Sequence, residues 1–402
     1  MAADRAPPGR RGGGVTGELR ALTSARGIAA WWIVLYHIRG SIAGLPAGAE
    51  AVLAKGYLAV DFFFLLSGFV IWLAWGERLR KSGPAGVPAF LKKRVARIWP
   101  LHLFTLAGAV ALAALLQITR RADPVSFPWA QLPLHVLLVQ NWGFTDRLAW
   151  NDPAWSISAE LGAYLLFPLL VLAVDWRRLP APAVLAAVAA AFVLLASAMA
   201  PALTLGTDIA RFGLVRCLCE FAAGTAMCAL WLRWRERPRV ALGCAGVAGS
   251  CAIAWALGVP ETLAVPPTFA ALLLALALTS GRAGNPLEAR WLHWLGEVSY
   301  ATYLSHFLLW RGFKLVAVRD ADAVPPGMIA AFLLLVLIAS GLLYRWVERP
   351  GQRLVNGWRL FPAPLAATRH PGLVPGSTAP QGHRSEPKVV AQGRVDPGTR
   401  PG

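Results

Sequence analysis

Stretches of about twenty apolar residues recur along this chain, at roughly 22–42, 57–76, 96–118, 155–174, 180–202, 209–232, 240–258, 262–280, 292–316 and 326–347. As helices rising ~1.5 Å per residue, each reaches about 30 Å, the thickness of a bilayer's hydrocarbon core. Lipid offers no hydrogen bonds, so a spanning segment must satisfy its own backbone, which an α-helix does. The pattern therefore predicts an all-α fold, a polytopic membrane helix bundle with about ten transmembrane helices. Composition agrees: of 402 residues, 56% are hydrophobic, only 15% are charged, and 18 are tryptophans, too apolar for a soluble enzyme of this size.

The formal charge of +18 would suit nucleic acid, but the basic residues sit in short loops between apolar stretches, where membrane topology accounts for them. No nucleic-acid partner is expected. Arg78, Arg80, Lys81, Lys92, Lys93, Arg94 and Arg97 crowd the loop from Glu77 to Arg97, and four arginines the loop from Arg233 to Arg239. The positive-inside rule puts both loops in the cytoplasm, and an even number of spans puts both termini there too, in keeping with Arg5, Arg10, Arg11 and Arg20. The first apolar stretch runs into polar residues and not into a small-residue cleavage site, so it is expected to stay in place as a span. Three regions are predicted: a disordered cytoplasmic N-terminus (1–20), a membrane domain (21–350) and a disordered cytoplasmic tail (351–402), rich in Gly, Pro, Arg, Ser and Gln. The longest external connection, Thr119 to Asn151, carries Trp129, Trp142 and Trp150, which suit a piece lying at the membrane interface. Cys217, Cys219, Cys228, Cys244 and Cys251 fall in two neighbouring apolar segments and read as packing residues; no metal site is expected.

Several ionisable residues interrupt the apolar stretches. The run from Arg26 to His37 starts with a guanidinium and ends, eleven residues on, with an imidazole roughly 16 Å away. An ionisable group deep in a bilayer costs up to about 3 kcal/mol on insertion scales, and it faces a partner or a cavity more readily than lipid. Asp61 is the one acid of the second stretch; it suits a helix cap, or a partner for a cation on the adjacent first span. Ser67 and Gly68 permit close helix approach. Arg94 and Arg97 are three apart, so they share a helical face, and a paired guanidinium fork at a helix N-terminus suits a phosphate or pyrophosphate. Glu160 follows Ser158 by two, which is not the three-residue spacing of a capping box, so it needs another partner. The ninth stretch carries Ser299, Tyr300, Tyr303, Ser305 and His306, polar groups of the kind that hold membrane helices together.

Taken in order and spacing, the stretches Leu22 to His37, Gly56 to Ile71, Leu91 to Pro100, Trp155 to Pro168, Ser299 to His306 and Val347-Glu348-Arg349-Pro350 resemble the acyltransferase 3 family of integral membrane O-acyltransferases. The resemblance covers roughly residues 20–350. It departs after Glu160, where Leu161-Gly162-Ala163 replaces a more polar and aromatic run, and at Ser305, where an aromatic commonly precedes the histidine. It implies transfer of an acyl group, commonly acetyl, from acyl-coenzyme A as co-substrate to a hydroxyl of a sugar, envelope glycan or secondary metabolite, in a bacterial inner membrane and with no permanently bound cofactor. The family's functional positions fall here on Arg26, His37, Asp61, Arg94, Arg97 and Glu160. In that reading His37 is the general base, Asp61 or Glu160 holds its tautomer, Arg94 and Arg97 hold the coenzyme phosphates, Arg26 binds the donor or stabilises developing charge, and His306 serves packing or acceptor placement. The alternative for a bundle with buried charges is a transporter of a lipid-linked sugar or an ion.

Overall fold

The computed structural model describes residues 19–282 and 284–358. The first 18 residues and the tail from 359 onward, both expected to be disordered, lie outside the described residues. Ten main helices stand where the ten apolar stretches were read: α1 (Arg20–Ile38), α2 (Ala59–Ile71), α3 (Val87–Ile118), α4 (Ala154–Ala173), α5 (Ala181–Met199), α6 (Ile209–Trp234), α7 (Pro238–Ala256), α8 (Glu261–Thr279), α9 (Arg290–Ala317) and α10 (Pro326–Leu343). Among the described residues, seven stretches are long and apolar enough to cross a membrane by length and composition alone. One of them, Ala47–Ile118, takes in both α2 and α3, while α1 and α9 fall outside the set. Those two helices carry much of the polar chemistry described below.

Local signals set several boundaries. Prolines stand in the first turns of α5, α7 and α10, where the missing N–H costs nothing, and the Asp208 carboxylate caps α6 by accepting from the Arg211 N–H at 3.2 Å. Three boundaries differ from the sequence reading. Helix α3 begins at Val87, about two turns before Arg94, so the arginine pair lies inside the helix and the backbone N–H groups of a helix start take no part in it. Helix α1 ends at Ile38, so His37 is the next-to-last residue of its helix. Residues Arg349–Gly357 form a short helix where the tail was expected to begin. Trp150 is fully buried and donates to the Pro128 carbonyl at 3.2 Å, so it packs inside the protein, whereas Trp142 is half-buried and Trp129 half-exposed.

Glycines determine which helices touch. A Cβ on Gly296 of α9 would lie 1.9 Å from the Thr23 carbonyl oxygen of α1, and one on Gly27 of α1 would lie 2.7 Å from the Gly296 nitrogen. The two backbones are therefore in direct contact, as small residues allow in lipid. His37 and His306 each stand ten residues beyond the glycine of their own helix, and they also meet. Two contacts at equal offsets in the same chain direction make α1 and α9 parallel neighbours, as a first and a ninth span must be. Between α2 and α6 the same device recurs: a Cβ on Gly68 would lie 2.0 Å from the Phe221 carbonyl oxygen, and one on Gly224 2.0 Å from that of Leu65. A Cβ on Gly243 of α7 meets nothing within 4 Å. Gly224→Ala is therefore expected to destabilise the protein by about 1–3 kcal/mol through overpacking, whereas Gly243→Ala leaves it unchanged or slightly more stable through the helix preference of alanine. Thermal unfolding of the two purified variants beside the wild type checks the contrast.

Candidate active site

Five helices, α1 to α4 and α9, enclose an inner cavity of about 170 Å³ whose lining includes Arg26, Ser67, Arg94, Arg97, Glu160, Tyr164, Tyr300 and Tyr303. Four of the six residues singled out in the sequence thus share one chamber. Arg26 is anchored by its Nε and Nη2, which donate to the Gly296 carbonyl at 3.1 and 2.6 Å. Glu160 accepts from Ser67 Oγ and from the Tyr164 hydroxyl at 2.6 Å; these are the partners its position required. Arg97 forms an ion pair with the nearly fully buried Glu348, and its guanidinium lies over the Tyr300 ring, 5.1 Å from the centroid. Arg94 differs. Its guanidinium lies 5.9 and 5.8 Å from the centroids of Phe90 and Tyr164, and its buried Nε has no hydrogen-bond partner. The expected fork is therefore unequal: Arg97 is neutralised, and Arg94 has no ion pair among the described residues. With three guanidinium groups facing two carboxylates, the chamber retains positive charge and suits an anion.

His37 lies elsewhere. It lines an outer cavity of about 550 Å³ formed by the end of α1, the second half of α9 and the connections before α2 and α4, together with Arg39, Glu50, Asp152, Arg311 and Lys314. Burial raises the Asp152 carboxyl to about 6, against the opposing pull of Arg311. Arg311 is itself paired with Asp123 at 2.8 Å. Neither Asp61 nor Glu160 hydrogen-bonds His37, a correction to the expectation that one of them holds its tautomer. The partners of His37 Nδ1 are the Ile33 carbonyl at 2.9 Å and His306 Nε2 at 3.1 Å. Two side chains of α9 lie between the cavities. His306 touches His37, and Tyr303, whose ring centroid is 6.2 Å from that of His306, lines the inner chamber. The Tyr303 hydroxyl is held by Ser156 Oγ at 2.7 Å and donates to the Pro153 carbonyl at 2.9 Å. Ser158 is used differently, its Oγ accepting from the Asn141 N–H at 3.1 Å, so both serines of the fourth stretch hold the wall of the site.

Asp61 belongs to neither cavity. Arg216 of α6 donates to its Oδ1 at 3.1 and 2.8 Å and to its Oδ2 at 2.8 Å, both residues being almost completely buried. Glu220, one helical turn beyond Arg216, is also fully buried. Asp61 thus joins α2 to α6, while Ser67, on a different side of α2, lines the inner chamber. Arg216, Glu348, Tyr303 and the His37 contact of His306 were missed as site features. A signal existed for Arg216 and Glu220, since an arginine and a glutamate four residues apart inside an apolar stretch imply a buried partner. Among the described residues, no group of three or more His, Cys, Asp and Glu side chains is placed to hold a metal ion. Removing one member of a buried ion pair strands the other, at about 3–5 kcal/mol, whereas replacing both with apolar side chains costs much less. Asp61→Asn is therefore expected to lower the thermal midpoint sharply, and the double variant Asp61→Leu with Arg216→Met to recover most of that loss. Unfolding of both in detergent tests the pair.

Comparison with known proteins gives this geometry a context. Residues 19–345 match the family described as "Acyltransferase domain". Acyltransferase MdmB of Streptomyces mycarofaciens is 35% identical over 394 residues, covering 87% of this chain and 96% of that protein. The exopolysaccharide production protein ExoZ of Rhizobium meliloti is 28% identical over 307 residues, 73% of this chain and 89% of that one. O-acetyltransferase OatA of Staphylococcus aureus is 24% identical over 166 residues, 38% of this chain and 24% of that one. No solved structure matches.

Proposed function

Because the chain belongs to the acyltransferase 3 family and is a multi-pass membrane acyltransferase, we propose that it transfers an acyl group, acetyl foremost, from acyl-coenzyme A to a hydroxyl of a sugar, envelope glycan or secondary metabolite at the bacterial inner membrane. The transporter alternative lapses with the family assignment. The observation that carries the reading is the pairing of two unlike cavities on the two sides of one short side-chain partition: a cationic inner chamber around Arg94, and a polar outer cavity with an imidazole in its wall. A phosphate-bearing donor suits the first and a hydroxyl-bearing acceptor the second. The names of ExoZ and OatA, an exopolysaccharide production protein and an O-acetyltransferase, are consistent with a hydroxyl acceptor. The start of α1 and the arginine-rich stretch before α3 face the cytoplasm in this reading, so the donor enters from that side.

The chemistry needs one base and one passage. His37 Nε2 accepts the proton of the acceptor hydroxyl as its oxygen attacks the thioester carbonyl. The tetrahedral intermediate collapses by breaking the carbon–sulfur bond, and the imidazolium returns the proton to the departing sulfur, so the products are the ester and the free thiol. Reacting atoms must come within about 3–3.5 Å, so the acyl group has to reach past Tyr303 toward His37. Arg94, lacking a carboxylate partner, is the side chain best placed to hold a donor phosphate, and Arg97 stays engaged with Glu348.

Two expectations follow for the purified enzyme. His37→Ala should keep its fold and its donor affinity yet lose a factor of ~10² to 10⁴ in rate, read as thiol release from acetyl-coenzyme A with an active acceptor fraction present; near wild-type turnover would remove His37 as base. Arg94→Lys should weaken donor binding although the charge is kept, because a planar fork becomes a point charge. Equal donor affinity in the Lys variant and the wild type, by calorimetry with coenzyme A, would reduce Arg94 to a topology signal.

A further inference from the structure

The sequence suits His306 to packing or acceptor placement, but its surroundings give it a more specific task. His306 is fully buried and both of its ring nitrogens are engaged: Nδ1 lies 3.1 Å from the Thr302 carbonyl oxygen, and Nε2 lies 3.1 Å from His37 Nδ1. His37 Nδ1 is also 2.9 Å from the Ile33 carbonyl oxygen. A carbonyl oxygen only accepts, so each Nδ1 must carry a proton, and in a neutral imidazole the other nitrogen is then a lone pair. Each helix thus fixes the tautomer of its own histidine through a carbonyl four residues earlier. The two assignments agree at the contact: His37 Nδ1–H donates to the His306 Nε2 lone pair and, in a three-centre arrangement, to Ile33. His37 Nε2 makes no hydrogen bond, and the ring lines the outer cavity. The charged groups around that cavity, Arg39, Glu50, Asp152, Arg311 and Lys314, include none that hydrogen-bonds either ring.

We propose that His306 is a positioning residue for acyl transfer: it accepts the Nδ1–H of His37, keeps the basic Nε2 directed to the outer cavity, and supports the imidazolium with a neutral acceptor in the place where many hydrolases use a carboxylate. This rests on the reading of His37 as base. A neutral acceptor orients the ring without adding a full negative charge, so the imidazolium is held less tightly than beside a carboxylate and returns its proton more readily to the departing sulfur. The α1 and α9 backbones, in contact at Gly27 and Gly296, hold the two rings together.

The test compares His306→Leu with His306→Gln, because a glutamine side-chain carbonyl can occupy the position of Nε2 and accept a hydrogen bond while leucine cannot. Leucine is expected to lower kcat tenfold or more with the KM values for acetyl-coenzyme A and acceptor unchanged, and glutamine to restore most of that loss at equal thermal stability. Folded Leu and Gln variants with the same kcat would overturn the positioning role, as would a Leu variant within twofold of wild type. His37→Ala, run alongside, separates the two levels: if it is inactive while His306→Leu is unimpaired, only the positioning role falls; if it is active, the base reading falls and takes this proposal with it. Should the His306 variants fail to fold, 15N NMR of histidine-labelled wild type reads the tautomers directly. A protonated Nδ1 and a bare Nε2 on His37 are expected, and the reverse tautomer would refute the proposal.

Discussion

The site depends on how closely α1 and α9 approach. In water, apolar burial drives two helices together, but in lipid the surroundings are as apolar as the side chains, and what remains is packing and polar contact. Gly27 and Gly296 let the backbones touch, Arg26 spans the same crossing to the Gly296 carbonyl, and a few turns further on the two histidines bond to each other. Packing and chemistry are thus one structural unit. The inner chamber opens beside the glycine end of this helix pair and the outer cavity beside the histidine end.

A second constraint governs the remaining charges. An ionisable side chain inside a membrane bundle is held by partners, and the pairs here are specific: Asp61 with Arg216, Arg97 with Glu348, Glu160 with Ser67 and Tyr164. Two groups stand outside these pairs, Glu220 on α6 and Arg94. The Arg94 guanidinium lies over the rings of Phe90 and Tyr164, which a guanidinium accepts more readily than an ammonium does, and among the described residues no carboxylate pairs with it.

The sequence was most informative where physics acts over one segment at a time. Ten apolar stretches became ten helices, because spanning length and backbone self-satisfaction are local properties. It also singled out Arg26, Arg94, Arg97 and Glu160, which meet in one chamber. What it missed was partnership across distant segments. Asp61 reads naturally as a neighbour of the first span, yet its partner is 155 residues away on α6, and Glu348, the partner of Arg97, is 251 residues away. His37 was given a carboxylate because carboxylates are the usual orienters, but the available acceptor was another histidine. The end of the first helix differs for a simpler reason: α1 stops at Ile38, before the apolar stretch 22–42 does.

The equal offsets on α1 and α9 make the helix pair behave as a vernier. One added residue between Gly27 and His37 would turn the imidazole by about 100° and advance it ~1.5 Å, outside hydrogen-bond reach of its partner, and would carry Arg39 along with it. A second addition on α9, between Gly296 and His306, would turn that ring by the same angle in the same sense about its own axis, so the two rings would point to opposite sides of the helix contact. In chains built on this plan, then, the lengths of two segments that are remote in sequence are not independent variables. A matching change in both keeps the rings facing only when it adds whole turns, about seven residues for two turns, so the separation of arginine and histidine along the first helix is a ruler whose second scale is engraved on the ninth.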